Sequence, residues 1–378
     1  MSKKVALVTT GHPPLDERIY WKFARSISSN GYETAIFCST ENIFEERENI
    51  LINGFKDDRL SRKEKLNKLY LFIRQFKPDL VICSEVSAII PAHKYKKFDN
   101  KNCKIVSDIT EWYPENVAFK RKGFVKFLIY FFLSLINILL VNYSDHLVIG
   151  ENGKKRRYNL LAPLKAKTII RYYPILQFFK FYPPDANIKK FTLCYAGLIN
   201  FERGILTLLQ TAIKLAERHK HLTIKLKIIG KFQYINEETE FNKIIENVTS
   251  IEIERINWTD YNKISEYLMD VHLCFDLRKR NFIYRHSLPI KIFEYMACGK
   301  PFIYSDIKPI REELKNYDRF GVLVNPDSQE EIIKATEKYL NAPDLLLNHS
   351  QNCRKEIEEG KNWETEAEKL ITLVKHLI

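Results

Sequence analysis

The chain has little glycine, 12 residues in 378, and none of it is arranged as G-x-G-x-x-G. That absence argues against a dinucleotide enzyme, because those glycines let a backbone approach a pyrophosphate. The seven cysteines, Cys38, Cys83, Cys103, Cys194, Cys274, Cys298 and Cys353, show no C-x-x-C spacing. No His/Cys cluster and no D-x-D motif occurs either, so the expectation is a chain that works without a metal and without a bound cofactor. Most of the cysteines sit in apolar, strand-like stretches and read as reduced core residues of a cytosolic protein. The opening MSKKVALVTT enters a strand directly and lacks a signal-peptide pattern. Internal repeats and low-complexity tracts are missing too.

What is there is a globular composition, 45% hydrophobic and 28% charged, long enough for about two domains. The net charge of +13 is confined to one half. Residues 1–180 hold 31 basic and 18 acidic side chains, and residues 181–378 hold 29 of each. Such asymmetry fits an anionic partner, whether a membrane surface, a phosphorylated lipid or nucleic acid; a lysine-rich solvated surface is the plainer alternative. No nucleic-acid-binding module accompanies the charge, so nucleic acid is disfavoured.

Short apolar runs alternate with helical stretches. Val5–Thr10, Thr34–Ser39, Leu80–Ser84, Lys104–Asp108 and His146–Gly150 read as buried strands, separated by helical segments such as Glu17–Asn30 and Arg59–Phe76. The series restarts at Thr192–Ala196 and runs through Lys225–Ile229, Ile251–Ile256, Val271–Phe275, Pro301–Ser305 and Gly321–Val324. This is the alternation of parallel sheets covered by helices, an α/β fold of two Rossmann-like domains facing each other across a cleft. The expected limits are 1–170, a proline-bearing linker at 171–190, a second domain at 191–360, and a terminal helix at 361–378 that packs back toward the first.

One stretch concentrates the chemistry: RHSLPIKIFEYMACGKPFIYSD, Arg285–Asp306. Ser287 and Pro289 predict a helix start and Gly299 a helix stop, giving a helix of about ten residues. Free amides at such a start, near Ser287 and Leu288, suit a phosphate. Lys291 in the first turn is disfavoured by the helix dipole unless an anion is near. Glu294, too deep to cap, is placed to accept from a vicinal diol such as ribose offers. A local Lys291–Glu294 pair at i, i+3 spacing explains the same two charges.

The run PIKIFEYMACGKP resembles the signature of retaining glycosyltransferases of family 4, which have the two-domain GT-B fold. The resemblance implies that the loop and helix here bind a nucleotide-sugar, with Glu294 on the ribose. Many members carry a second glutamate where this chain has His286, which would then meet the donor sugar. Arg203-Gly204, within YAGLINFERGILTLLQTA, matches the basic residue and glycine that bind the donor diphosphate in the family. An earlier basic position is Leu198 here, and Lys231 is the candidate to replace it.

In the first half, TTGHPPLDERIYWKF follows the first strand, and His12 and Arg18 are its cleft-facing candidates. VSDITEWYPE resembles the acceptor-side loop of the family, with Asp108, Glu111 and Trp112; the position where many members have His is Thr110. His286, Asp108 and Thr110 are the catalytic candidates, none an evident base. A retaining transfer then relies on positioning and on stabilising the departing diphosphate.

The segment KRKGFVKFLIYFFLSLINILLVNYSDH holds 18 uncharged residues between Lys126 and Asp145. A strand follows at once, so a membrane span is rejected; a buried helix and a helix in the membrane interface both remain open. Lys120, Arg121, Lys122 and Lys126 with Phe131 and Phe132 are the membrane-contact candidates, and the basic run Lys154–Arg157 adds to them. The reading that unites these features is a peripheral enzyme at the inner face of the cell membrane. It would move a sugar from a nucleotide-sugar to a lipid-linked or other saccharide acceptor in surface-polysaccharide assembly. The rivals are a sugar-nucleotide epimerase, a phosphorylase on the same fold, and a non-catalytic binding protein.

Overall fold

Val, Ile, Leu and Phe dominate short runs bounded by turn residues, and in the computed structural model these runs become two separate parallel sheets. The structure describes residues 2–56 and 58–378. The chain divides into one unit that runs up to Tyr172 and includes Trp363–Ile378, and another over Tyr173–Asn362.

The first unit holds β1 (Lys4–Thr9), β2 (Glu33–Cys38), β3 (Ile43–Arg47), β4 (Ile50–Gly54), β5 (Leu80–Cys83), β6 (Lys104–Ile109), β7 (His146–Ile149) and β8 (Ala166–Ile169). They lie in the order β3-β4-β2-β1-β5-β6-β7-β8. Every pair is parallel except β3–β4. Val5, Ala6, Leu7 and Val8 of β1 are all buried, as a central strand covered on both faces requires. The chain winds from β1 toward β2 and β4 on one side and from β5 toward β8 on the other. The switch point is therefore between β1 and β5, where ligands of such sheets bind.

The second unit repeats the plan with β9 (Lys190–Ile199), β10 (Thr223–Phe232), β11 (Glu252–Ile256), β12 (Leu273–Asp276), β13 (Phe302–Ser305) and β14 (Gly321–Val324). The order is β11-β10-β9-β12-β13-β14, all parallel, with the switch between β9 and β12.

Three strands, β3, β4 and β8, lie outside the expected series. β3 and β4 form a hairpin whose turn, Glu48-Asn49, takes positive φ at both residues (50° and 60°), which a two-residue turn of matching twist demands. The expected helix Glu17–Asn30 is divided into a π-wound segment, Glu17–Ala24, and an α-helical one, Arg25–Ser29. The helix predicted from Ser287 is also corrected. Ser287 instead ends a short helix, Phe282–His286, and the next runs only over Lys291–Ala297, seven residues, with no side-chain cap. Ser287 and Leu288 lie in the extended link between the two.

The carboxyl-terminal helix, Trp363–Leu377, belongs to the first unit. Trp363 stacks on Phe23 at 5.7 Å, its Nε1 donates to Ser26 Oγ at 2.9 Å, and Glu366 accepts from the Arg171 amide at 2.8 Å. All seven cysteines are buried free thiols. Burial pushes Cys103 and Cys298 up to about 12, so neither offers a thiolate at neutral pH.

One buried ion pair ties the segment after β1 to the end of β6. Arg18 Nε and Nη2 donate to the two Asp108 oxygens at 2.5 and 2.7 Å. The guanidinium lies 4.0 Å from the Tyr172 ring centre and 4.4 Å from that of Phe23. Burial alone would lower the Arg18 pKa, but the Asp108 charge outweighs it and holds the cation. Removing one partner of such a pair leaves a charge stranded in low dielectric. Asp108→Asn is expected to lower stability by about 3–5 kcal/mol in urea melts. Arg18→Met/Asp108→Leu, which removes both charges, should recover much of that loss; a stable Asp108→Asn protein would deny the pair its structural weight.

Candidate functional site

Two glycines open the carboxyl end of the second sheet. Gly197 on β9 (φ +134°) and Gly230 on β10 (φ +137°) face each other in register. A Cβ on Gly230 would stand 1.9 Å from the Gly197 carbonyl oxygen, so this backbone approach is open only to glycine. Over Gly197 lies the Lys291 side chain, whose Cε would meet a Cβ there at 3.6 Å. Lys291 Nζ donates to Glu294 Oε2 at 2.8 Å, and the Glu294 side chain is 1% exposed. The local i, i+3 pair is therefore formed. Tyr295 fixes the helix to the strand, its hydroxyl accepting from the Ala196 amide at 2.8 Å and donating to the Ala196 carbonyl at 3.2 Å.

The loop after β9 supplies the second part. Asn200 Oδ1 accepts from the Arg203 amide at 2.8 Å. Gly204 takes φ +80° and begins the helix Ile205–Arg218; a Cβ there would stand 2.3 Å from the Leu277 carbonyl oxygen. Arg203 Nε is buried and has no hydrogen-bond partner among the described residues. The Arg203 guanidinium is 5.7 Å from the Tyr284 ring centre and that of Arg278 is 5.3 Å from the same ring. Arg278 is itself bound to Asp276, with Nε–Oδ1 at 2.8 Å. Asp276 thus neutralises Arg278, and Arg203 across the same ring adds positive charge beside the strand ends, where an anion is favoured. The loop beyond β12 is anchored here too, by Lys279 N donating to Glu202 O at 2.7 Å and Asn281 Nδ2 to Glu202 Oε2 at 3.2 Å.

His286 is exposed; its Nδ1 donates to Phe282 O at 2.7 Å and its ring packs on Phe282 at 4.4 Å. Lys231, next to Gly230, holds its ammonium 5.1 Å from the Trp258 ring centre. Arg203, Gly204, Lys291 and Glu294 all gather at the ends of β9 and the elements beside it. Arg278, Asp276, Tyr284 and Tyr295 join them and were absent from the sequence-based set. Asp276-Leu277-Arg278 at the end of a buried strand was the signal available, an acid and a base where a parallel sheet opens.

The switch point of the first unit is built differently. Glu85, just beyond β5, accepts from Thr9 Oγ1 at 2.7 Å, the Thr10 amide at 2.9 Å and the Gly11 amide at 3.0 Å. Its carboxylate fills the loop after β1, the place where a Rossmann-type domain offers amides to a phosphate. His12 lies 3.5 Å from Asp16 and 3.6 Å from Glu85. Burial would lower its pKa, but Asp16, then Glu85 and Glu111, raise it to about 9. His12 is a cation at neutral pH and not a base.

Beside these groups is a cavity of about 160 Å³. Thr10, Glu85, Asp108, Thr110 and Glu111 line its polar side, and Tyr113, Ile136, Leu140 and Tyr158 its apolar side. Thr110 Oγ1 donates to Ser84 O at 3.2 Å, and Glu111 is held by Asn116. Two acceptor-side candidates lie inward. Trp112 is buried with Nε1 donating to Glu151 at 3.1 Å, and Arg18 is closed against Asp108 between two rings, because each needs a polar partner once desolvated. Among the described residues no three His, Cys, Asp or Glu side chains converge as a metal site.

The raised His12 value fixes a pH dependence. A histidine whose folded pKa is raised contributes stability that is full below its ordinary value, about 6.5, and lost as pH rises through about 9. His12→Gln should therefore be less stable than wild type in urea melts at about pH 6, with the gap closing by about pH 10. A gap that ignores pH would break the link to Asp16 and Glu85.

Residues 179–359 match the family model for glycosyl transferases group 1. No curated protein sequence matches the chain. Among solved structures, sucrose-phosphate synthase from Thermosynechococcus elongatus superposes with a TM-score of 0.76 at 14% identity, covering 99% of each chain. HepE from Anabaena in complex with UDP-glucose gives 0.74 at 11%, again over 99% of both. A glycosyltransferase from Rickettsia africae gives 0.74 at 13%, over 100% of this chain and 98% of the other. With two parallel α/β sheets the chain has the GT-B fold, and the likeness of residues 179–359 to glycosyl transferases group 1 marks it as a glycosyltransferase.

Proposed function

We propose that the protein is a retaining transferase that carries a sugar from a UDP-sugar to a lipid-linked saccharide in surface-polysaccharide assembly. The observation that carries the donor half is the cluster at the β9–β12 switch point, where Arg203 and Arg278 outnumber Asp276 and Lys291 and Glu294 stand beside Gly197. The guanidiniums suit the diphosphate and the Glu294 carboxylate suits the ribose diol. Likeness to HepE, described with UDP-glucose, supports uridine as the nucleoside.

In this reading the bond from the anomeric carbon to the diphosphate oxygen breaks and a bond to the acceptor oxygen forms. The acceptor proton leaves on the departing phosphate, so no side-chain base is required. Charge growing on that phosphate is met by Arg203, with Arg278 holding its neighbourhood positive. The lipid-linked acceptor is supported by the cavity of the first unit, polar on one side and walled on the other by Ile136, which is also exposed on the apolar helix.

Glu294→Gln keeps the shape and loses charge-assisted bonds worth about 1.5–3 kcal/mol each, so UDP affinity by calorimetry should fall about tenfold or more. Arg203→Ala is expected to reduce turnover of UDP-sugar at least as much. Product analysis separates the rivals: transfer yields free UDP and a lengthened acceptor with the anomeric configuration kept, whereas epimerisation leaves the nucleotide-sugar intact. Unchanged UDP binding in both variants would remove the assignment of this cluster.

A further inference from the structure

The helix Gly123–Asn142 is twenty residues long, and most of its apolar side chains lie outside the core. Phe124 is 73% exposed and Phe132 58%; Phe127, Phe131, Leu135 and Leu139 are exposed as well. Only Asn137, Leu140 and Val141 are buried, all in its last two turns. Of the two readings left open by the sequence, the buried helix is thereby excluded. The same helix is long and apolar enough to cross a membrane. It nevertheless begins after β6 and ends at β7, which pair in register from Val106↔His146 to Ile109↔Ile149. Crossing a bilayer would put those paired strands on opposite sides of it.

A second element extends the patch. The helix Asn152–Leu161 is joined to the apolar helix by Asn137 Nδ2 to Tyr158 Oη at 3.2 Å and Asn142 Nδ2 to the Leu161 carbonyl at 3.4 Å. Leu160 in its last turn and Leu164 just beyond it are 83% and 94% exposed. The exposed charge carried by these segments is basic, and the nearby Glu115 and Glu151 are buried and bound to Arg157 and Lys154. No Asp or Glu occurs over 116–144 or over 152–184. Lys120, Arg121 and Lys122 are exposed at the start of the apolar helix, and Lys126 lies over the Phe119 ring at 4.0 Å. The basic run Lys154–Arg157 contributes less than its sequence suggests: Lys154 is bound to Glu151 and Arg157 to Glu115.

We infer that this two-element surface docks in the interface of an anionic phospholipid bilayer, with the apolar helix lying in the membrane plane. Aromatic and aliphatic side chains enter the acyl boundary while Lys120, Arg121 and Lys122 meet the phosphates. The basic residues, with no Asp or Glu within 116–144 or 152–184, select an anionic lipid surface over a second copy of this basic unit, which would repel it. This docking is independent of the proposed transfer reaction.

Co-sedimentation with phosphatidylcholine vesicles containing phosphatidylglycerol tests it. Wild type should bind these at low salt, bind pure phosphatidylcholine weakly, and be released by high salt. Each basic residue at such a surface is worth roughly fivefold in partitioning, so Lys120→Gln/Arg121→Gln/Lys122→Gln should weaken binding by about a hundredfold. Phe131→Ser/Phe132→Ser should abolish binding while thermal melting stays near that of wild type, since both rings already face outward. Turnover of a soluble acceptor should be unaffected in either variant, which keeps failure here distinct from failure of the transferase reading. Wild type that ignores anionic vesicles at low salt overturns the inference. So does binding that survives Phe131→Ser/Phe132→Ser, vesicle-bound protein that resists alkaline carbonate extraction as a spanning helix would, or a dimer in solution that the same substitution dissolves.

Discussion

The Tyr295 hydroxyl, bonded to both the amide and the carbonyl of Ala196, holds the end of β9 against the seven-residue helix that follows β12 and its loop. The placing of Lys291 and Glu294 in the second unit's site depends on that clamp. It brings Lys291 over Gly197, and with it Glu294, a carboxylate that has no surface of its own. A helix this short has little dipole and no side-chain cap, so its position is dictated by packing and by one phenol. Gly230 completes the constraint, because a Cβ there would run into the Gly197 carbonyl, and both glycines hold a positive φ that other residues rarely take.

The parallel sheets were legible because their strands are buried on both faces and read as continuous apolar runs. Pro301–Ser305 and Leu80–Ser84 needed nothing more than that. Two of the three missed strands, β3 and β8, fail the same test for physical reasons. β3 is Ile-Phe-Glu-Glu-Arg, an edge strand largely open to solvent, and β8 is a half-buried edge beginning Ala-Lys-Thr. Edge strands are defined by a neighbour's free backbone, which side-chain pattern does not record.

The site was legible where one short run held it, as in Lys291 and Glu294, and in Arg203-Gly204. It was illegible where distant segments meet. Nothing local says that Arg278 must share Tyr284 with Arg203, or that Arg18 and Asp108, ninety residues apart, form a buried pair. The Ser287 cap failed for a related reason. Tertiary anchoring of the Phe282–His286 turn through Asn281 and Glu202 outweighed a local capping preference of about 1 kcal/mol.

The carboxylate of Glu85 gives the two switch points opposite characters. In the second unit the strand ends present guanidinium charge in excess; in the first, the loop amides are already engaged by a side chain of the same molecule. A tethered group never diffuses away, and even a loosely tethered one competes at about millimolar effective concentration. Glu85 thus acts as a resident competitor that any incoming phosphate must displace. Two sheets of the same winding are thereby made unequal, one with its loop filled by its own carboxylate and the other with guanidinium groups beside its strand ends.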